Sequence, residues 1–348
     1  MILPGTYAAT LAILILSMIC WGSWANTQKL TGKWRFELFY FDYTFGVLLT
    51  AVVAAFTFGS LGFDGFLFTD DLMQTGRRNL AYGFGAGVIF NLANMLLVAA
   101  ISVAGLAVAF PVGIGLALII GVVLNYLIKP QGNPTLLFTG VGIVLAAIVV
   151  DAAAYRTHAR ARAAQEIRAG RTKSVVPRIG WKGILLSLAS GILMGSFYPL
   201  VELGKAEGTG LGPYAIAFVF ALGVFCSTFV FNLFFMNVPV QGPPVELLEY
   251  FKGTWTQHLL GVVGGATWAT GTISNFVAAS APPEVQAGPA ISYALGQGAT
   301  LISALWGLLV WKEFKGACGL VKLLLALMLV LFTVGLGLVS IAPLYAGR

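Results

Sequence analysis

The chain has 348 residues, of which 58% are hydrophobic and 9% charged, and its mean hydropathy is +0.89. A soluble domain carries about 25% charged residues, and a soluble chain of this length could not hide so much apolar surface. The composition excludes a soluble globular protein and indicates an all-α polytopic membrane protein. The net charge of +7 does not indicate nucleic acid, because the basic residues gather in one stretch and at the edges of apolar runs.

A membrane span needs roughly 20 mainly apolar residues. The sequence predicts ten: Tyr7–Lys29, Phe39–Phe58, Leu80–Ser102, Leu106–Ile128, Thr135–Asp151, Gly183–Leu203, Pro213–Phe235, Gln257–Ala279, Ala287–Val310 and Cys318–Ala342. Turn chemistry separates them, as at Pro130-Gln131-Gly132-Asn133-Pro134 and Pro282-Pro283. The start, MILPGTYAAT, has no positive n-region, so span 1 is expected to be a retained helix rather than a cleaved signal. Cys20, Cys226 and Cys318 lie in apolar runs and read as packing residues, without disulfide or metal-ligand spacing.

One stretch is strongly polar. Tyr155–Lys182 holds Arg156, Arg160, Arg162, Arg168, Arg171, Lys173, Arg178 and Lys182 against the single acid Glu166. Lys and Arg near span ends resist translocation, so this stretch is expected in the cytoplasm. It reads as a solvated linker that also meets anionic lipid head groups. Both termini then lie outside, and the inside loops hold about three times as many basic residues as the outside ones. The domains follow as a first five-helix repeat over 1–153, a basic cytoplasmic linker over 154–182, and a second repeat over 183–348.

Five spans per half is an odd number, so a second copy would sit inverted. Ser17, Trp21, Gly22, Ser23 and Trp24 in span 1 match Ser190, Met194, Gly195, Ser196 and Phe197 in span 6 at one offset. Gly85-Ala86 and Val98-Ala99-Ala100 in span 3 match Gly264-Gly265 and Val277-Ala278-Ala279 in span 8, also at one offset. Phe110-Pro111 opens span 4, as Gly288-Pro289 opens span 9. Inverted repeats with Gly/Pro-interrupted helices mark secondary transporters, whose site lies near the midplane.

Polar residues in mid-span are costly in lipid and should face the bundle interior or a wet cavity. Helical spacing brings out Trp21 and Trp24 in span 1, Asn91 and Asn94 in span 3, and Tyr198 in span 6. It also brings out Trp268 and Thr272 in span 8, and Tyr293 and Gln297 in span 9. Amides beside flat rings suit a small neutral, planar, hydrogen-bonding solute. No Lys or Arg lies at mid-span, which argues against an anionic one. Trp34, Trp181, Trp255 and Trp311 read as interface-belt residues. Spans 5 and 10 carry little polarity and read as walls facing lipid or a second copy in a homodimer.

Asp42, near the cytoplasmic end of span 2, and Glu202, near the outer end of span 6, are the candidates for proton coupling. Asp151 and Glu313 lie at cytoplasmic boundaries. No cofactor is expected; the proton is the expected coupling ion. No Gly-x-Ser-x-Gly, His-Glu-x-x-His or Gly-x-x-x-x-Gly-Lys-Ser/Thr motif supports an enzyme, and His158 and His258 read as solvated.

Taken together, several segments resemble the ureide permeases. These are Gly22-Ser23-Trp24-Ala25, Tyr40-Phe41-Asp42-Tyr43, Thr57–Gly62, Gly105-Leu106-Ala107-Val108, Leu124-Asn125-Tyr126, and Leu301–Gly307 with the trailing Glu313-Phe314. The resemblance implies the drug/metabolite transporter superfamily, with ten transmembrane helices as an inverted 5+5 repeat. It implies uptake of allantoin-like ureides, uracil and related oxo-heterocycles, driven by protons. The glucose/ribose and rhamnose porters share that scaffold, so a monosaccharide porter is the nearest alternative and a multidrug or metabolite exporter a further one. Plant ureide permeases have a longer central loop with a nucleotide-loop-like motif. The short basic linker here has none, which implies a bacterial member in the inner (plasma) membrane.

Overall fold

The computed structural model describes residues 1–62, 65–168, 181–205, 210–239 and 242–345. Among these it is helical, without a strand. The helices are α1 (Tyr7–Ser23), α2 (Ala25–Leu30), α3 (Phe36–Phe56), α4 (Phe68–Gln74), α5 (Arg77–Ala104), α6 (Leu106–Ile128) and α7 (Pro134–Arg168). They continue as α8 (Trp181–Gly204), α9 (Pro213–Asn237), α10 (Trp255–Ala279), α11 (Pro289–Gly296), α12 (Ala299–Leu305) and α13 (Gly319–Ile341). A π-turn at Trp306–Val310 extends α12.

Local chemistry sets several ends. The Thr6 hydroxyl accepts from the Ala9 N–H at 3.2 Å and starts α1. Thr254 and Gln257 form a capping box that starts α10. Gly105 and Gly288 start α6 and α11 from nearly the same left-handed backbone, φ 77° and ψ 158° against φ 80° and ψ 158°. A β-carbon disfavours that conformation, so glycine serves both equivalent turns.

Nine helical runs among the described residues are long and apolar enough to cross a membrane. The tenth expected span, α10, is 25 residues long but more polar, with Gln257, His258, Thr267, Thr270, Thr272 and Asn275 along it. It packs on α1 and α3, inside the bundle. Helix packing is paired across the two halves. Spans 3 and 6 meet as α5 with α8, and spans 8 and 1 as α10 with α1. Spans 3 and 7 meet as α5 with α9, and spans 8 and 2 as α10 with α3.

Spans 1 and 9 each run through as one crossing, Tyr7–Leu30 and Pro289–Val310, with an irregular turn at Trp24 and at Gln297-Gly298. One sequence expectation needs correcting. Span 5 does not end at Asp151: α7 runs on to Arg168, because Ala152–Ala164 is rich in Ala and Arg, both strong helix formers. The first half of the expected linker is therefore helix, and a boundary at 153 falls inside it. Residues 169–180, with Arg171, Lys173 and Arg178, lie outside the described residues. The short helix α4 had no span-like signal.

Backbones touch where glycine allows it. A β-carbon on Gly265 would fall 1.9 Å from the Tyr43 carbonyl oxygen, and one on Gly87 would fall 2.1 Å from that of Phe220. The partner helices offer Gly46 and Gly223, where an added β-carbon would fall 2.2 Å from the Val262 and Phe84 carbonyl oxygens respectively. Gly265→Ala and Gly87→Ala should each cost about 1–3 kcal/mol through forced separation of backbones. Gly142→Ala, with nothing within 4 Å of the added carbon, serves as the control. Melting of the purified variants in detergent tests this; a wild-type midpoint for either buried-glycine variant would exclude tight packing at these crossings.

Candidate functional site

Spans 1, 3, 6 and 9 supply most of the lining of a cavity of about 420 Å³, with single residues or pairs from spans 2, 4, 5 and 8. Its deep part is aromatic and amide-lined. Trp21, Trp24, Phe90, Phe197 and Trp268 contribute rings, and Asn94 and Gln297 contribute amides. The Trp268 ring stacks on Phe90 with centroids 4.5 Å apart, and lies 6.3 Å from Trp21 at 16° between planes.

The backbone shapes these rings. A β-carbon on Gly296 would fall 2.5 Å from the Trp21 ring, and one on Gly271 would fall 2.8 Å from its other edge. Trp21 therefore lies in a slot between α11 and α10. Its Nε1–H donates to Thr272 Oγ1 at 3.0 Å, which fixes the ring's rotation. Trp24, at the α1/α2 turn, lies 4.8 Å from the Tyr43 ring. Asn94 donates from Nδ2 to Tyr40 OH at 3.0 Å, and Tyr40 donates to Asn91 Oδ1 at 2.8 Å. No donor among the described residues reaches Asn94 Oδ1, and the Gln297 side chain makes no hydrogen bond among them. Gln297 caps the end of α11, where its side chain meets the cavity.

Of the nine expected solute-binding residues, Trp21, Trp24, Asn94, Trp268 and Gln297 line this cavity. Asn91, Tyr198, Thr272 and Tyr293 do not. Asn91 is fully buried and donates to Val224 O, Ser227 Oγ and Thr228 Oγ1 on α9. Tyr198 donates to Asn275 Oδ1 at 2.7 Å, and Asn275 in turn donates to Ser17 Oγ and Ser292 O. The Tyr293 hydroxyl reaches the carbonyls of Ala117 and Met194 at 3.2 Å each. Thr272 holds Trp21 from outside the cavity. These four tie helices together and orient the lining.

Neither expected coupling acid lines the cavity. Asp42 accepts from Tyr250 OH at 2.5 Å and pairs with His258 Nδ1 at 2.8 Å. That network pins the Leu247–Lys252 turn onto α3. Glu202 pairs with Lys205 at 2.5 Å, with both side chains nearly buried. The two histidines are not free in solvent: His158 is 7% exposed and bonds the Glu313 carbonyl, and His258 is held by Asp42.

Sequence reasoning missed the cavity's charged end. Lys29, Asp151, Tyr155 and Glu313 line it, together with Asn26 and Trp311. Glu313 accepts from Lys29 Nζ at 2.6 Å and from Tyr155 OH at 2.8 Å. Trp311, expected at the interface belt, donates to Asn26 Oδ1 at 2.6 Å and lies under the Lys29 ammonium. The available signal was helical spacing, since Asp151, Tyr155 and His158 recur at steps of four and three on one face of α7.

A family model described as "Ureide permease" matches residues 39–176. "Ureide permease 1" of Arabidopsis thaliana is 23% identical over 93% of this chain and 94% of that protein. "Ureide permease 4" of the same plant is 24% identical over 93% and 94%. "Probable ureide permease A3" of Vigna unguiculata is 30% identical over 40% of this chain and 38% of that protein. A solved structure described as "Crystal structure of protein" superposes with a TM-score of 0.57 at 18% identity, covering 96% of each chain, which shows a shared fold. Permeases are membrane transporters, not enzymes.

Glu313 lies outside the spans and gives a pH dependence. Burial pushes its carboxyl up, but the hydrogen bonds from Lys29 and Tyr155 and the Lys29 charge outweigh this and hold it below its ordinary 4.5. The unfolded chain then binds this proton more readily than the native one. Stabilisation by Glu313 is complete above the ordinary value and is lost as pH falls through the lower native one. The melting temperature of the wild type should fall more steeply than that of Glu313→Gln on acidification through the carboxylate range. Parallel curves would exclude the contribution.

Proposed function

We propose that this protein is a secondary active transporter that takes up small neutral oxo-nitrogen heterocycles, with ureides such as allantoin foremost, and that protons drive it. The observation that carries this reading is the deep cavity lined by flat rings and amides, with no charge at that end. A planar ureide offers N–H donors and carbonyl acceptors on its rim and apolar faces above and below. Trp24 and Trp268 supply faces to stack on, Asn94 Oδ1 an acceptor, and Gln297 a donor and an acceptor. The near full-length similarity to proteins named ureide permeases supports the same substrate class.

In this reading α10 is the tenth span, its polar residues facing the bundle rather than lipid. The paired contacts across the halves and the matching Gly105 and Gly288 turns support an inverted five-plus-five repeat. Alternating access then rocks one half against the other around the cavity. The basic extension of α7 stays in the cytoplasm near anionic lipids, and both termini lie outside the inner membrane.

Trp24→Ala and Gln297→Ala should each weaken allantoin binding about tenfold without unfolding the protein. A hydrogen bond contributes about 0.5–1.5 kcal/mol net, and about 1.4 kcal/mol is one decade in affinity. Calorimetric titration of the purified variants measures it; wild-type affinity in both would exclude this cavity as the ureide site. Orientation has its own test. Ala164→Cys, on the exposed part of α7, should resist impermeant thiol reagents in intact cells and label after permeabilisation. Ready labelling from outside would reverse the topology.

A further inference from the structure

Three features of the cavity's charged end point to a second ligand besides the solute. First, its charges do not balance. Lys29 supplies one ammonium, while Glu313 and Asp151 supply two carboxyl groups to the same wall. Glu313 uses both its oxygens, one on Lys29 and one on Tyr155. Second, Asp151 Oδ1 is buried with no hydrogen-bond partner among the described residues, and Tyr155, one turn on along α7, is bonded to Glu313. Third, the backbone is shaped to the cluster. A β-carbon on Gly307 would fall 2.9 Å from Glu313 Oε2 and 3.0 Å from the Tyr155 hydroxyl, so glycine leaves the space they occupy.

A buried carboxylate without a donor is costly, and a second carboxylate beside it adds repulsion. One proton on Asp151 corrects both defects, since it supplies a donor and leaves the cluster electrically neutral. We propose that Asp151 is the proton-binding site of this transporter, with the Lys29–Glu313 ion pair as its fixed neighbour. Per cycle, the Asp151 carboxylate gains one proton to become the carboxylic acid and returns one proton as the carboxylate on the other side. Only an O–H bond forms and breaks. The inference rests on the transporter reading above but replaces Asp42 and Glu202 as the coupling groups.

The surroundings of Asp151 fit the assignment. α7 packs on α6 and α13, whose only titratable side chains are Tyr126 and Lys322, and Lys322 is exposed. Tyr155 and His158 share its face of α7. His158 Nε2 meets the Glu313 carbonyl, and its Nδ1 is buried without a partner. Phe110, Ile114 and Leu97 form the apolar part of the wall. The Lys29–Glu313 pair joins span 1 to the turn after span 9, so it bridges the two halves at the cavity mouth.

Two measurements on the full-length protein test this. Infrared difference spectra of purified protein, titrated from mildly acidic to mildly alkaline pH without solute, should show a protonated-carboxyl carbonyl band that disappears on deprotonation. Asp151→Asn should abolish the band. Glu313→Gln should keep the band but change the pH at which it disappears, because the variant removes one carboxylate from the cluster and releases Lys29. No such band in the wild type, or its persistence in Asp151→Asn, would overturn the site. In proteoliposomes with allantoin and an imposed pH gradient, Asp151→Asn should only equilibrate allantoin yet still exchange it. Asp42→Asn should accumulate allantoin like the wild type. Retained exchange shows that the variant is folded; wild-type accumulation by Asp151→Asn would overturn the coupling role. If the wild type moves no allantoin, the ureide reading fails, while the infrared band still decides the proton site.

Discussion

Close backbone contact between helices is the constraint on which everything else depends. Lipid tails are as apolar as leucine, so the hydrophobic effect gives buried spans little reason to prefer each other. Association must come from dispersion and from hydrogen bonds between helices, and dispersion falls off within an ångström or so. The glycines at α3/α10 and α5/α9 let carbonyls of one helix sit where a β-carbon would otherwise be. Those crossings fix α5 and α10, which bring Asn94 and Trp268 to the cavity lining. They also leave Tyr40 and Tyr43 fully buried behind the lining, where Tyr40 can orient both asparagines.

A consequence is that a polar residue inside the bundle has two competing uses. It can join helices, or it can be left for a solute. Ser17, Asn91, Tyr198, Asn275 and Tyr293 are consumed by the first use, each with partners on another helix. Asn94 is half consumed, and Gln297 not at all. The distinction depends on irregular turns. Gln297 is free because α11 ends there, and Trp24 faces the cavity where α1 gives way to α2. Irregular turns in spans 1 and 9 thus supply part of the lining, one in each half of the chain.

The sequence was most informative where composition alone decides. The bounds of Leu106–Ile128 were read correctly, because turn residues flank an unbroken apolar run. The aromatic wall of the cavity was also legible, since Trp21, Trp24 and Trp268 lie too deep for interface-belt residues. Partner choice was not legible. Nothing in the spacing of Asn91 and Asn94 tells which one Tyr40 leaves with an open oxygen. Asp151 was passed over because it ends an apolar stretch, and that stretch marks where lipid ends rather than where the helix ends. The π-turn at Trp306–Val310 had no signal either, and it helps fold Glu313 back toward α7.

The separation of charge and solute along one cavity has a physical logic. An ionised group in the deep part would be far from water, and its desolvation would exceed what one hydrogen bond to a solute returns. At the mouth, Glu313 and Lys29 remain about one-third and one-half exposed, so the pair survives there at modest cost. The solute site and the charged cluster still share walls, because Trp24 and Lys29 lie on span 1, and Gln297 and Glu313 on span 9 and its following turn. A shift of either half moves both sites together. Linkage then requires that whatever factor protonation adds to solute affinity, solute adds to proton affinity. A neutral cluster also lets the mouth close without burying an unpaired charge, so the protonated, solute-loaded form would cross between states most readily. In the proposed mechanism that asymmetry couples proton to solute, and it rests on where one buried carboxyl group is placed.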